Sequence, residues 1–310
     1  MTECNQQTFG FQALGSRRVE ADFSGGHLSS DGGALLLRET DRRLGLCDRL
    51  ARCFSDTRDG RFVEHSLPVM IRQRVLGLAL GYEDLNDHEQ LRTDPLLAAA
   101  CENPDLLGET RRHGQDRGKA LAGKSTLNRL ELGAVAKSGG KYRKIKAGAD
   151  SIRDLLLDEG VKAIPRESRV IVLDFDATDD PIHGNQEGRF FHGYYRNYCY
   201  LPLYCARGDM ENRIKEQQLD LFADRTSTAP MAGNQLRLWF STFAYLLVAR
   251  LRGIALRGTV LAKATAGTIR LRLFKVAAMV VVSVRRVHVR MAGAFPLQDV
   301  FRQACGRLRT

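Results

Sequence analysis

A short apolar run that ends in acids is the feature that most limits how this chain can fold. Val170–Leu173 is uninterrupted in its apolar character, which is typical of a strand buried on both faces of a sheet. Strands of that kind lie between layers of helices. We therefore predict a mixed α/β fold.

Four acids follow this run directly, at Asp174, Asp176, Asp179 and Asp180. Side chains alternate along a strand, so Asp174 and Asp176 are expected on one face. Divalent cations prefer several carboxylate oxygens, which makes this strand end a candidate metal site. A loop that simply carries acids is an equally good interpretation of the same pattern.

Helical patterns dominate the first half of the chain. The segment from Ser66 to Leu80 has a serine suited to an N-cap, a proline in its first turn and Gly81 just beyond its end. Residues 235–252 carry an apolar stripe that we interpret as core. We therefore divide the chain into a mainly helical region, 1–165, and a second region, 166–310.

Alternation near the C-terminus predicts a strand. Ile269, Leu271 and Leu273 alternate with polar residues, which is typical of a half-buried strand with a basic outer face. Residues 280–290 look like its partner strand. Residues 1–30 read as loop and short strands, because Val19 and Ala21 also alternate with polar residues.

Composition argues for a protein of the cytoplasm. The 310 residues contain no apolar run near the ~20 residues of a membrane span and no secretory signal at Met1. The seven cysteines are scattered and form no C-x-x-C pair, which disfavours a disulfide framework or a zinc module.

Positive charge is concentrated in two parts of the sequence. The net charge is +11, yet residues 250–310 alone hold 13 arginines and lysines against one acid, Asp299. A second stretch, 111–146, holds 11 against Asp116 and Glu131. Clustered basic side chains release counterions from phosphate backbones, so the distribution favours nucleic-acid binding over a merely solvated basic face.

One motif suggests a different activity. Gly118–Ser125 matches the G-x-x-x-x-G-K-[ST] pattern of phosphate-binding loops. Such a loop must leave a buried strand and enter a helix so that backbone N–H groups converge on phosphate. The polar residues 110–117 that precede it cannot form a core strand. We therefore disfavour an ATPase.

A third candidate lies just after an aromatic segment, 190–204, that has strand-like propensity. Tyr204, Arg207 and Glu211 are spaced three and four apart, so on a helix they would share one face. A glutamate that binds metal beside an arginine that binds phosphate would suit DNA cleavage. A surface salt bridge is the simpler alternative.

Taken together, the sequence resembles bacterial insertion-sequence transposases of the DDE type, specifically the transposase DDE domain group 1. The similar stretches reach nearly from end to end: Val19–Leu36, Gly81–Pro95, Gly123–Glu131, Leu173–Gly184, Gln186–Tyr195, Tyr204–Glu216, Leu219–Thr226 and Gly267–Arg286.

The resemblance implies a ribonuclease H-like catalytic domain, Mg²⁺ or possibly Mn²⁺ as cofactor, and strand cleavage and transfer at terminal inverted repeats. It implies that Asp176 is the first catalytic aspartate and Glu211 the final glutamate, both as metal ligands. The glutamate signature of these enzymes continues with a lysine, but Gln218 stands at that position.

Six residues are assigned to DNA binding from these motifs and their charge: Tyr204, Arg207, Arg213, Lys215, Lys124 and Arg129. The expected partners are the terminal inverted repeats, target DNA and further copies of the chain, which would assemble on DNA in the cytoplasmic nucleoid. No membrane partner is expected.

The catalytic region is too short to be intact. A ribonuclease H-like core carries its second aspartate on a later strand, beyond several strands and a helix, yet only 34 positions separate Asp176 from Glu211. Between Asp180 and Asp209 the sole acid is Glu187. We infer an internal deletion joined near 203–205, with cleavage impaired. A non-catalytic DNA-binding inhibitor of the full-length enzyme is the rival hypothesis.

Overall fold

The computed structural model describes residues 8–133, 144–164, 167, 175–181, 190–192, 196–204, 209–225, 228 and 230–309. In 175–181, 190–192, 196–204 and 209–211 the description covers the backbone. The described helices are α1 (Ala34–Leu44), α2 (Leu46–Arg52), α3 (Leu67–Leu80), α4 (His88–Leu91), α5 (Pro95–Ala100), α6 (Lys124–Gly133), α7 (Ala149–Ala163), α8 (Asp209–Asp220), α9 (Met231–Ala255), α10 (Ala266–Ile269) and α11 (Gln298–Arg309).

The described strands form small antiparallel sheets, so the fold is mixed α/β as the sequence predicted. These strands are β1 (Phe9–Leu14), β2 (Arg17–Ala21), β3 (His27–Ser29), β4 (Phe54–Asp56), β5 (Ile145–Ala147), β6 (Phe175–Pro181), β7 (Phe190–His192), β8 (Arg196–Tyr204), β9 (Ala278–Val282) and β10 (Val287–Met291).

Helix α3 is the central helix of the core and begins and ends where its sequence dictates. Ser66 occupies the N-cap position in extended conformation, and a proline lies in the first turn. Gly81 closes the helix in the left-handed conformation, with φ of 98°. Since α3 is buried on nearly all sides, its apolar residues form no single stripe.

One hydrophobic core joins the two ends of the chain. Helix α9 packs on α3 and α1, and α11 packs on α1. The core therefore includes Leu36 and Ile71 together with Phe240, Phe243 and Leu308. The apolar stripe of α9 is core, as predicted from the sequence.

Helix α9 has 25 residues and is, by length and composition alone, apolar enough to cross a membrane. Half of its most apolar window is buried within the protein. A core helix of a globular protein passes the same test, and the packing of α9 against α3 is that of a core helix.

The strand predicted at 269–273 is wrong. Helix α10 runs straight into a π-helical turn, Arg270–Phe274, and Thr265 caps α10 by accepting the N–H of Thr268. A strand would have placed Ile269, Leu271 and Leu273 on one face. Here Ile269 and Leu273 are buried, whereas Leu271 is 70% exposed, because residues four apart share a helix face. Residues 280–290 instead form the hairpin of β9 and β10.

The aromatic segment predicted to be strand-like forms β7 and β8. Together with β6 these strands make a three-stranded antiparallel sheet in which β8 lies in the middle. The apolar run Val170–Leu173, from which the fold class was argued, lies outside the described residues.

Candidate nucleic-acid interface and catalytic region

Asp176 lies near the end of this sheet from which the chain continues towards Glu211. Asp176 in β6 pairs with Leu203, one residue before the end of β8. Five residues beyond Tyr204 the chain enters α8, whose third residue is Glu211. Asp176 therefore lies beside a position only eight residues from Glu211 in sequence.

Helix α8 is anchored to the core by its later residues. The buried Glu216 carboxylate accepts hydrogen bonds from Arg252 at 3.0 Å and from the backbone N–H of Ala266 at 2.7 Å. The N–H of Gly267 donates to Asp220 at 2.8 Å. These bonds tie α8 to α9 and to the start of α10, so they fix the helix that carries Glu211.

The residues near Glu211 that the sequence assigned to DNA binding lie in different surroundings. Arg213 donates to Glu216 at 2.9 Å, and this bond raises the pKa of Arg213. Lys215 is exposed on α8. Tyr204 is the last residue of β8 and pairs with Phe175. Arg207 lies outside the described residues.

A polar cleft of about 490 Å³ lies where three of the family-like stretches meet. Lys124 begins α6 on one side of this Lys124 cleft, and its Nζ donates to Oδ1 of Asn86 at 2.8 Å. Arg225 lies at the rim and is paired with Glu83 at 2.8 Å. Ser125 also lines the cleft. Exposed cations, hydroxyls and amides in one concavity can bind phosphate groups.

A buried charge cluster holds the wall of the Lys124 cleft in place. Glu131 of α6 is fully buried and accepts from Arg74 of α3 at 2.5 Å and from Arg237 of α9 at 2.8 Å. Arg74 also donates to the backbone oxygen of Glu83 at 2.9 Å. The cluster therefore joins α3, α6 and α9 to the loop that carries Glu83.

The phosphate-loop interpretation fails on geometry. The Oε1 atom of Glu89 accepts the backbone N–H of Lys124 at 2.8 Å, so a carboxylate of the chain itself caps α6 where a phosphate would have to lie. Ala122 exchanges two hydrogen bonds with the Gln73 side chain. The residues just before the segment form a 3₁₀ turn, Gly114–Asp116, and no strand.

Some basic residues of the C-terminal region pair with acids of residues 1–165. Arg250 contacts Glu159 at 3.5 Å, and Lys275 donates to Asp31 at 2.6 Å. Lys275 also lies over the ring of Tyr82. Part of the positive charge therefore stabilises the fold, whereas Arg285 and Arg286 are exposed between β9 and β10.

The described side chains offer no metal centre. Among them, no group of three or more His, Cys, Asp or Glu residues lies close enough to hold an ion. Asp176 and Glu211 are two carboxylates where a DDE site has three. Both are described by their backbone alone, and we derive no reaction step through metal.

Sequence reasoning missed several residues of the Lys124 cleft. Arg74 and Arg237 lie on helices whose sequences predict only core packing. Their shared partner Glu131 was noted only as one of two acids within a basic stretch. An acid fully buried between two arginines can be recognised only once α3, α6 and α9 are packed together.

The chain belongs to the family described as transposase DDE domain group 1. The sequence model of that family matches residues 11–205 and again 203–310, so the two matched segments together cover nearly the whole chain. This membership supports a transposase function and implies a ribonuclease H-like catalytic domain. DDE transposases generally use a divalent metal. No curated protein and no solved structure matches the chain.

Proposed function

We propose that this chain is a DNA-binding descendant of a DDE transposase that has lost the middle of its catalytic domain and, with it, most or all strand cleavage. In this proposal residues 1–165 form a DNA-binding region and residues 166–310 a shortened catalytic region. The chain binds terminal inverted repeats and target DNA, as a homo-oligomer, in the nucleoid.

One observation carries the proposal: the family match breaks into two segments that meet at residues 203–205. An uninterrupted relative would give one continuous match. The break falls at the end of β8, where the chain passes within a few residues to the helix of Glu211. A deletion of the central strands and the second aspartate would produce this pattern.

Asp176 and Glu211 are the proposed remnants of the metal site, with Mg²⁺ or Mn²⁺ as the family's ion. The proposed DNA contacts are those predicted from the sequence: Tyr204, Arg207, Arg213, Lys215, Lys124 and Arg129. Arg213 would have to exchange its bond to Glu216 for a phosphate, so its contribution should be smaller than that of Lys124.

A gel-shift titration of the full chain tests DNA binding. We expect retardation of a duplex carrying the element's ends, with an affinity that falls as salt rises because phosphate contacts release counterions. Asp176→Ala should bind equally well, since the contacts are basic. Lys124→Ala should bind more weakly, whereas Lys162→Ala, which removes an exposed lysine of α7, serves as the matched control. Absence of retardation at low salt would refute the proposal.

The rival function, inhibition of the full-length transposase, also needs binding without cleavage. Excision of the element by the full-length enzyme, measured with increasing amounts of this chain, distinguishes an inhibitor from a chain that only binds DNA. A dose-dependent loss of excision would favour an inhibitor.

A further inference from the structure

A second cleft, also of about 490 Å³, lies on the other side of α6 from the Lys124 cleft. Buried Met70 and Leu130 line its apolar interior, together with half-buried Ile145. The ring of Phe62 borders this Phe62 cleft and is 62% exposed. The volume is within the usual range for small-molecule sites.

Two guanidinium groups lie over the same exposed ring. Cζ of Arg112 is 4.8 Å from the centroid of Phe62, and Cζ of Arg61 is 5.7 Å from it. Aromatic rings and guanidinium planes are the groups on which proteins stack unpaired bases. An exposed phenylalanine flanked by arginines is therefore suited to receive a flat aromatic ligand.

The surroundings of the cleft are strongly positive. Among the described residues the cations are Arg58, Arg61, Arg112, Arg129 and Lys144, of which Arg58 pairs with Asp56 and Arg61 with Asp59. The pKa of nearby His65 is lowered to about 4, first by burial and then by the charges of Arg111 and Arg58. A site of this charge favours a ligand that carries phosphate groups.

The backbone that carries Phe62 is fixed before any ligand arrives. Asp59 accepts the N–H of Arg61 at 3.1 Å, which caps the turn that ends at Phe62. Arg58 donates to the backbone oxygen of His65 at 3.0 Å. The adjacent β4 pairs with β5 and fixes Lys144, whose carbonyl accepts the N–H of Thr57. A preorganised site loses little entropy on binding.

We propose that the Phe62 cleft binds an unpaired base of a DNA strand, stacked against Phe62, with the flanking phosphates on Arg129 and Lys144. A base inside a stacked duplex has no free face to offer Phe62, so the ligand is a single strand or a duplex end with an unpaired base. This inference rests on the proposed DNA binding and adds a strand-specific site to it.

Fluorescence anisotropy with the full chain tests the site. The probes are a labelled single-stranded oligonucleotide and a fully paired duplex of the same sequence. Phe62→Ala should weaken single-strand binding about tenfold and duplex binding by less than about twofold. Phe62→Trp should retain single-strand affinity, because tryptophan also stacks. Phe23→Ala, which removes another highly exposed phenylalanine, is the matched control and should change neither.

The outcomes separate this inference from the proposed function. If the unaltered chain binds neither probe, the proposed DNA binding is wrong and this inference falls with it. If it binds both and Phe62→Ala binds both just as tightly, only the base site is wrong. Equal losses for strand and duplex would also overturn the base site, because they would indicate a general phosphate contact.

Discussion

Replacing Glu216 by glutamine should loosen the helix that carries Glu211. The carboxylate is buried and receives two guanidinium groups and one backbone N–H. Glutamine has nearly the same shape and can still accept the N–H of Ala266, but it removes the charge facing Arg252. Arg252 keeps one acceptor, the backbone oxygen of Ala264 at 2.8 Å.

The expected loss in the free energy of unfolding of Glu216→Gln follows from these contacts. Breaking a buried ion pair costs about 3–5 kcal/mol, and the bond of Arg252 to Ala264 places this case at about 3 kcal/mol. Urea unfolding followed by circular dichroism measures the loss as a lower midpoint at unchanged slope. Glu109→Gln, at an exposed position, should change stability by less than about 0.5 kcal/mol. A loss below about 1 kcal/mol for Glu216→Gln, or an equal loss for the control, would refute the reasoning.

Three further outcomes are expected. Glu131→Gln should cost about 3 kcal/mol in the same urea titration, because buried Arg74 and partly buried Arg237 lose their shared carboxylate. An unchanged midpoint would contradict the role of this buried charge cluster. The lowered pKa values of His65 and His88, about 4 and about 3, mean that the unfolded chain binds more protons below pH 6.5. Stability should therefore fall as pH drops from about 6.5 towards 4, and His88→Gln should flatten this dependence. Millimolar ATP should not raise the melting temperature, because Glu89 caps the helix at Lys124; a shift abolished by Lys124→Ala would revive the phosphate-loop hypothesis.

Local signals in the sequence account for the helices that were predicted well. Helix α3 has its capping residue, its proline and its closing glycine within the segment itself. The region at 269–273 failed because Ile269 and Leu273 are four residues apart, a spacing compatible with one face of either a strand or a helix. Only the burial of one face and the exposure of Leu271 distinguish the two.

Sites formed by tertiary packing were harder to predict from the sequence. Lys124 was assigned to DNA binding because it lies in a basic, family-like stretch, whereas Phe62 lies outside every such stretch. The role proposed for Phe62 depends on Arg112, 50 residues away in sequence, and on α6. The burial of Glu216 likewise depends on α9 and α10, so no pattern within α8 could reveal it.

Nicking of a supercoiled plasmid that carries the element's ends, with Mg²⁺ and with Asp176→Ala as control, tests the central claim most directly. We expect retained binding without nicking, because the carboxylate set lacks its middle member. Nicking that Asp176→Ala abolishes would contradict the account and would mean that another acid, Glu187 or Asp209, completes the site.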